Sequence, residues 1–183
     1  KNADDLNELE LIQTVFSNME QQNRQFETLR QESTYALKQE LLGGFVSDST
    51  VHTLSKITQR LDYLNLSFLY QSPLRIAVVQ IDDYASFQRK FNPKERWAYR
   101  YAVTNLLTEI AKEEVECVVF NQDHDKFVLL LNNTSLTPDT ADSVLQQLLS
   151  TIQKNFEEHL DLSVSAAYSQ PFDDLQHTAR EYE

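Results

Sequence analysis

The stretch from Val115 to Leu131 constrains the chain most, because its pattern admits few structures other than a β-hairpin. Two short apolar runs, Val115 to Phe120 and Lys126 to Leu131, flank five polar residues, Asn121 to Asp125. β-Branched and aromatic residues on both sides of an Asn/Asp-rich gap predict paired strands with the polar residues at their tip. The second run hardly alternates, as expected of a strand covered on both faces. It is therefore expected at the centre of a sheet, with carboxylates at one end. Asp123 and Asp125, with His124 between them, are the residues to weigh for chemistry there.

The rest of the chain supplies partners for that hairpin. Leu74 to Ile81 is the clearest strand and ends at Asp82-Asp83. A helical pattern begins at Tyr84, breaks at Asn92-Pro93, and resumes through Trp97, Tyr101, Leu106, Leu107 and Ile110, with Pro93 suited to a first helical position. After the hairpin, Thr137-Pro138-Asp139 starts a helix whose expected buried face is Val144, Leu145, Leu148, Leu149, Ile152 and Phe156. Leu160 to Tyr168 alternates as a last strand, and Asp173 to Glu183 begins a last helix. The fold class read from this order is α+β. The order itself, βααββαβ, is that of a ferredoxin-like antiparallel sheet with helices on one face.

Ahead of it, Asp4 to about Leu42 contains neither proline nor glycine. Leu9, Ile12, Phe16 and Met19 fall three and four apart, and Asn23 and Phe26 continue the heptad. A long helix with one narrow apolar seam cannot bury that seam alone, so a parallel coiled-coil dimer is expected, with Asn23 helping to fix its register. The alternative is a helix folded back on its own domain. The only 2 glycines of the chain, Gly43 and Gly44, are expected to cap this helix. Ser47-Asp48-Ser49 offers the next N-cap, before a short helix with Val51, Leu54, Ile57 and Leu61 on one face. Leu64 to Ser72, closed by Pro73, is expected to connect and partly cover the core. The domain reading is thus 1–45 for the long coiled-coil helix, 46–73 for a helical connector and 74–183 for the sheet domain.

Composition excludes several functions. With Gly at 2, a glycine-rich phosphate cradle is nearly excluded. A formal net charge of −12 repels a phosphate backbone, so direct nucleic-acid binding by these residues is not expected. The single cysteine, Cys117, lies in an apolar strand and reads as a small buried hydrophobe suited to a reducing compartment. No apolar run reaches membrane-spanning length. A start at Lys1 without methionine and a stop at Glu183 within a helical pattern read as those of a piece of something longer.

Three resemblances sharpen these expectations. Asn7 to Met19 resembles the second helix of a HAMP domain, with Glu8, Leu9, Ile12, Phe16 and Met19 matching its signature; Glu10 departs from the usual glycine. That likeness implies a transmembrane receptor upstream, with this chain on the cytoplasmic side of a bacterial membrane. The sheet order, with Asp82-Asp83 after the first strand and an acidic hairpin tip, resembles the GGDEF domain of diguanylate cyclases. Its motif falls on Asp123, His124, Asp125, Lys126 and Phe127. Condensing two GTP molecules needs carboxylates to hold Mg²⁺ and glycines that let backbone approach the nucleotide. Here Asp123 and His124 replace both glycines, Lys126 replaces a Glu, Gln80 replaces the leading metal-binding Asp, Ala85 replaces a Lys, and Gln88 falls near the guanine-reading Asn. The resemblance thus leaves Asp82 and Asp125 as the remnant of a metal site.

The long helix, the Leu41-Leu42-Gly43-Gly44 break, Ile81-Asp82-Asp83-Tyr84 and Asn92 to Ala102 resemble the degenerate GGDEF-like domain of membrane-bound AraC-type transcription regulators. The resemblance implies a homodimeric, non-catalytic relay without a cofactor, between an upstream sensor and a downstream AraC-type DNA-binding domain of the same chain. A pseudo-enzyme binding GTP or cyclic di-GMP as an allosteric ligand is the alternative, and an active cyclase a third. His124 is expected to be a solvated turn residue, and His52, His159 and His177 have no ligand spacing around them. Lys94, Arg96 and Arg100 are expected to pair with local Glu and Asp, and Trp97 and Tyr101 to be core.

Overall fold

A computed structural model describes residues 2–47, 54–132, 134 and 136–182, with side chains at 2–18, 20, 23, 54–56, 138 and 139 outside the description. The chain divides into two compact units, residues 1–38 and 39–183. The first is most of helix α1 (Asn2–Val46). The second holds the last turns of α1, helix α2 (Leu54–Tyr63), a 3-10 turn at Ser67–Tyr70, and strand β1 (Leu74–Ile81). Helices α3 (Tyr84–Lys90) and α4 (Pro93–Lys112) follow, then β2 (Glu116–Gln122), β3 (Lys126–Asn132), α5 (Pro138–Leu160) and β4 (Val164–Tyr168). A 3-10 turn at Leu175–His177 leads into helix α6 (Thr178–Tyr182). Among the described residues, no helix is long and apolar enough to cross a membrane.

The four strands form one antiparallel sheet in the order β2-β3-β1-β4, so the fold is α+β. β3 is central, as its continuous apolar run requires, and Phe127 to Leu131 are fully buried. One face, with Ala77, Val79, Ile81, Phe127 and Leu129, packs against Val103, Leu107 and Ala111 of α4 and Leu145, Ile152 and Phe156 of α5. The other face is covered as well, which the expectation of helices on one face omits. There Ile76, Val118, Phe120, Val128 and Leu130 meet Leu41, Leu42, Phe45 and Val46 of α1, Leu61 of α2, Leu69, Phe172 and Leu175.

This second layer corrects the reading of Gly43-Gly44, through which α1 continues to Val46 without any glycine at positive φ. Two helical glycines cost roughly 2 kcal/mol against alanine. Burying the four apolar side chains of that last turn contributes roughly 6–12 kcal/mol at the usual 1.5–3 each. Burial therefore wins over the local capping signal. Asp48, Ser49, Val51 and His52 lie outside the described residues, whereas Ile57 and Leu61 of α2 are buried as expected.

Capping follows the sequence elsewhere. The Asn92 side chain accepts from the N–H groups of Lys94 and Glu95, and Glu95 Oε2 accepts from Asn92 N at 2.8 Å, a reciprocal box ahead of Pro93. The last strand is shorter than its alternation suggests: α5 runs to Leu160, and Asp161 closes it in the left-handed region (φ 52°). The aromatic residues of α4 also differ from expectation. The inward row is Tyr99, Val103, Leu107 and Ala111, four residues apart, and Tyr99 meets Phe87 at 4.9 Å. Burial pushes its phenol up to about 12. That row leaves Trp97 outside, 44 % exposed and stacked on Tyr101 at 5.7 Å.

Candidate functional site

The tip of the β2–β3 hairpin is tighter than the sequence suggests. Asn121 and Gln122 belong to β2, paired with Phe127 and Lys126, so the loop is Asp123, His124 and Asp125. The N–H of Asn121, on the outer edge of β2, donates to Gln39 Oε1 of α1 at 2.7 Å, which ties the last turns of α1 to the hairpin. Asp123 has φ 58°, a left-handed backbone that glycine favours and that Asp is among the few other residues to tolerate. The loop thus has a glycine-like backbone at a position that carries a side chain. His124 is exposed at the apex.

Asp82, Asp83 and Asp125 are each engaged by groups of the chain itself. Asp125 accepts from Gln80 Nε2 at 2.7 Å, and its backbone carbonyl accepts from Ile81 N at 2.9 Å. Gln80, standing where the resemblance puts a metal-binding Asp, is therefore a donor to the other half of that pair. Asp82 turns to β4 instead: Ser165 Oγ donates to Oδ1 at 2.6 Å and Ser163 Oγ donates to Oδ2. The Ser163 and Ser165 hydroxyls, in that order, hold the Asp82 carboxyl below the ordinary aspartate range. Asp83 caps α3 by accepting from Ser86 N at 2.9 Å, and the Ser86 hydroxyl first, then that N–H, lower its pKa too.

Lys126 puts a cation into this cluster. Its Nζ lies 3.7 Å from Asp123 Oδ2 and 5.8 Å from the centre of the Tyr182 ring on α6. Tyr182 first, and then Asp123 and Asp125, push the Lys126 pKa up, so the ammonium is kept. The neighbouring Phe127 is fully buried, its ring edge-on to Phe156 at 6.3 Å. A metal ion would have to displace Gln80 and the two serine hydroxyls and share the tip with an ammonium. Among the described residues, no group of three or more His, Cys, Asp or Glu side chains is placed to hold a metal. Cys117 is buried, and burial pushes its thiol up to about 11, away from thiolate chemistry.

The sequence singled out Asp82, Asp123, Asp125, Lys126 and Phe127 at one end of the sheet, and the fold places them there. It missed their partners. Ser163 and Ser165 were legible, since the alternation of the last strand puts both on one face; nothing local marks Gln39 or Tyr182. Along α1, Met19 and Phe26 of the expected seam are 54 % and 69 % exposed. The side chains of Leu9, Ile12, Phe16 and Asn23 lie outside the described residues. His159 and His177 are exposed. The basic residues of α4 depart from expectation: among the described residues, Lys94, Arg96 and Arg100 form no ion pair, and Arg96 instead donates to the Gln88 carbonyl at 3.1 Å. No family model matches this chain, and no curated protein or solved structure matches it either.

Proposed function

We propose that the chain is a non-catalytic relay and dimerisation module: a ferredoxin-like, degenerate GGDEF-like domain carried on a coiled-coil helix. Two copies join through α1, on the cytoplasmic side of a membrane-anchored AraC-type regulator, and pass a change of helix register or rotation from sensor to DNA-binding domain. The strand order β2-β3-β1-β4 supports the ferredoxin-like part of this reading. The observation that carries the dimer is the apolar surface of α1, where Met19, Phe26, Leu29 and Leu37 are 54, 69, 61 and 43 % exposed. Large apolar side chains recurring along a single helix are the surface a second helix covers. The occupied hairpin tip supports the non-catalytic part.

Sedimentation equilibrium of the whole chain tests the association. The wild type is expected to sediment as a dimer, and Phe26→Asp, which places a charge in the seam, is expected to weaken association by at least about tenfold, 1.4 kcal/mol. A wild-type monomer at high protein concentration removes the basis of the proposal.

A further inference from the structure

The outward face of α4 combines three features that neither the core nor the hairpin tip uses. α4 carries Lys94, Arg96, Arg100 and Lys112 against Glu95 and Glu109, a basic excess in a chain of formal net charge −12. Trp97 and Tyr101, one turn apart, lie parallel within 5° on that surface, so an indole that is 44 % exposed is held rigid by the ring behind it. Exposed residues continue along the helix as Ala98, Ala102, Asn105 and Glu109. Tryptophan and arginine are the residues most enriched among energetic anchors of protein interfaces, and a preordered ring loses little entropy on docking.

The charges of α4 identify the partner. Lys94, Arg96 and Arg100 lie in its first half, and Glu109 lies in its last turns, followed by exposed Glu113, Glu114 and Glu116. Glu95 and Lys112 follow the helix dipole, whereas Lys94 and Glu109 oppose it at a small cost. A helix that is basic at one end and acidic at the other is complementary to its own antiparallel copy. A two-fold axis between Tyr101 and Ala102 sets Lys94 opposite Glu109 and Ala98 opposite Asn105, with Tyr101 of each copy against Ala102 of the other at the centre. A wholly acidic partner would meet Glu109 and Glu113 instead. An anionic lipid surface would meet the acidic excess of the rest of the domain.

We propose that the Lys94–Trp97–Tyr101–Glu109 face of α4 is a second contact between two copies of this chain, antiparallel about a two-fold axis, closing in the dimer that α1 forms. This rests on the dimer proposed above. One helix face is smaller than the roughly 1,000 Å² that a stable interface needs, whereas joining through α1 raises the effective concentration of the second contact to the millimolar range.

Trp97 is the only tryptophan, so its quenching by acrylamide reports this face alone. In the dimeric whole chain, quenching is expected to be roughly twofold weaker than in the monomeric Phe26→Asp variant, as the exposed side of the indole leaves water. Lys94→Glu and Glu109→Lys, each alone, are expected to restore full quenching while sedimentation still shows a dimer. The double exchange is expected to shield Trp97 again. A dimer whose Trp97 is quenched as freely as the monomer's, or a double exchange that fails to shield it, overturns this contact and leaves the α1 association standing. A chain that is monomeric at every concentration overturns both.

Discussion

Asp82 stands in the open, and two serine hydroxyls rather than burial hold its pKa down. Because the folded value is depressed, the resulting stability is fully present above the unfolded aspartate pKa of about 3.9 and is lost as pH falls through the lower folded value. The double variant Ser163→Ala, Ser165→Ala is expected to bring the Asp82 titration back toward the ordinary value, read from its side-chain carboxyl carbon by NMR; an unmoved titration rules out the hydroxyls as the cause. The same reasoning applies to nucleotide binding at the tip. With Asp125 accepting from Gln80 and Lys126 beside Asp123, calorimetry with Mg²⁺ and GTP is expected to show only dilution heat up to about 1 mM ligand. Saturable heat that Asp125→Ala removes would favour a nucleotide-binding pseudo-enzyme. At this scale the sequence displayed the acidic residues and hid part of what holds them: Ser163 and Ser165 follow from the alternation of the last strand, whereas Gln80 and Tyr182 meet the hairpin only through the sheet register and the position of α6.

Elements were most legible where a single period dominates. β1 and β3 announce themselves by uninterrupted apolar runs, and α5 by Leu145, Leu148, Ile152 and Phe156 at helical spacing. α1 was misread at Gly43-Gly44 because capping is a local preference, and the local term is smaller than the burial of Leu41, Leu42, Phe45 and Val46. Since Gly43 is helical and not at positive φ, an added Cβ would lie 3.6 Å from Gln122 Oε1, an ordinary contact. Gly43→Ala is therefore expected to stabilise the domain by about 0.5–1 kcal/mol, measured as a raised urea midpoint with an unchanged slope. Destabilisation would mean that the helix needs glycine there to approach β2. In α4, aromatic residues at 97, 99 and 101 offered the core three different faces. Val103, Leu107 and Ala111 settle the choice, since they align with Tyr99 and leave Trp97 to solvent.

At the scale of the molecule, the order of strands and helices could be read from pattern alone, but the second helical layer could not. That layer is assembled from pieces far apart in the chain: the last turns of α1, α2, the turn at Ser67–Tyr70, and the segment from Phe172 to Tyr182. Of these only α2 shows a period, and each finds its place only against a sheet already formed. The first layer, by contrast, is closed by α4 and α5, which lie between the strands in sequence. The two layers therefore become available at different moments of synthesis. As the ribosome releases the chain, β1 to β3 can take their α4 and α5 cover while the opposite side of the sheet still lacks Phe172 and Leu175. Until Phe172 and Leu175 emerge, a nascent domain has the α1 and α2 cover of Ile76, Val128 and Leu130 but lacks the rest of it, and presents that gap to chaperones or to its neighbours on the same messenger.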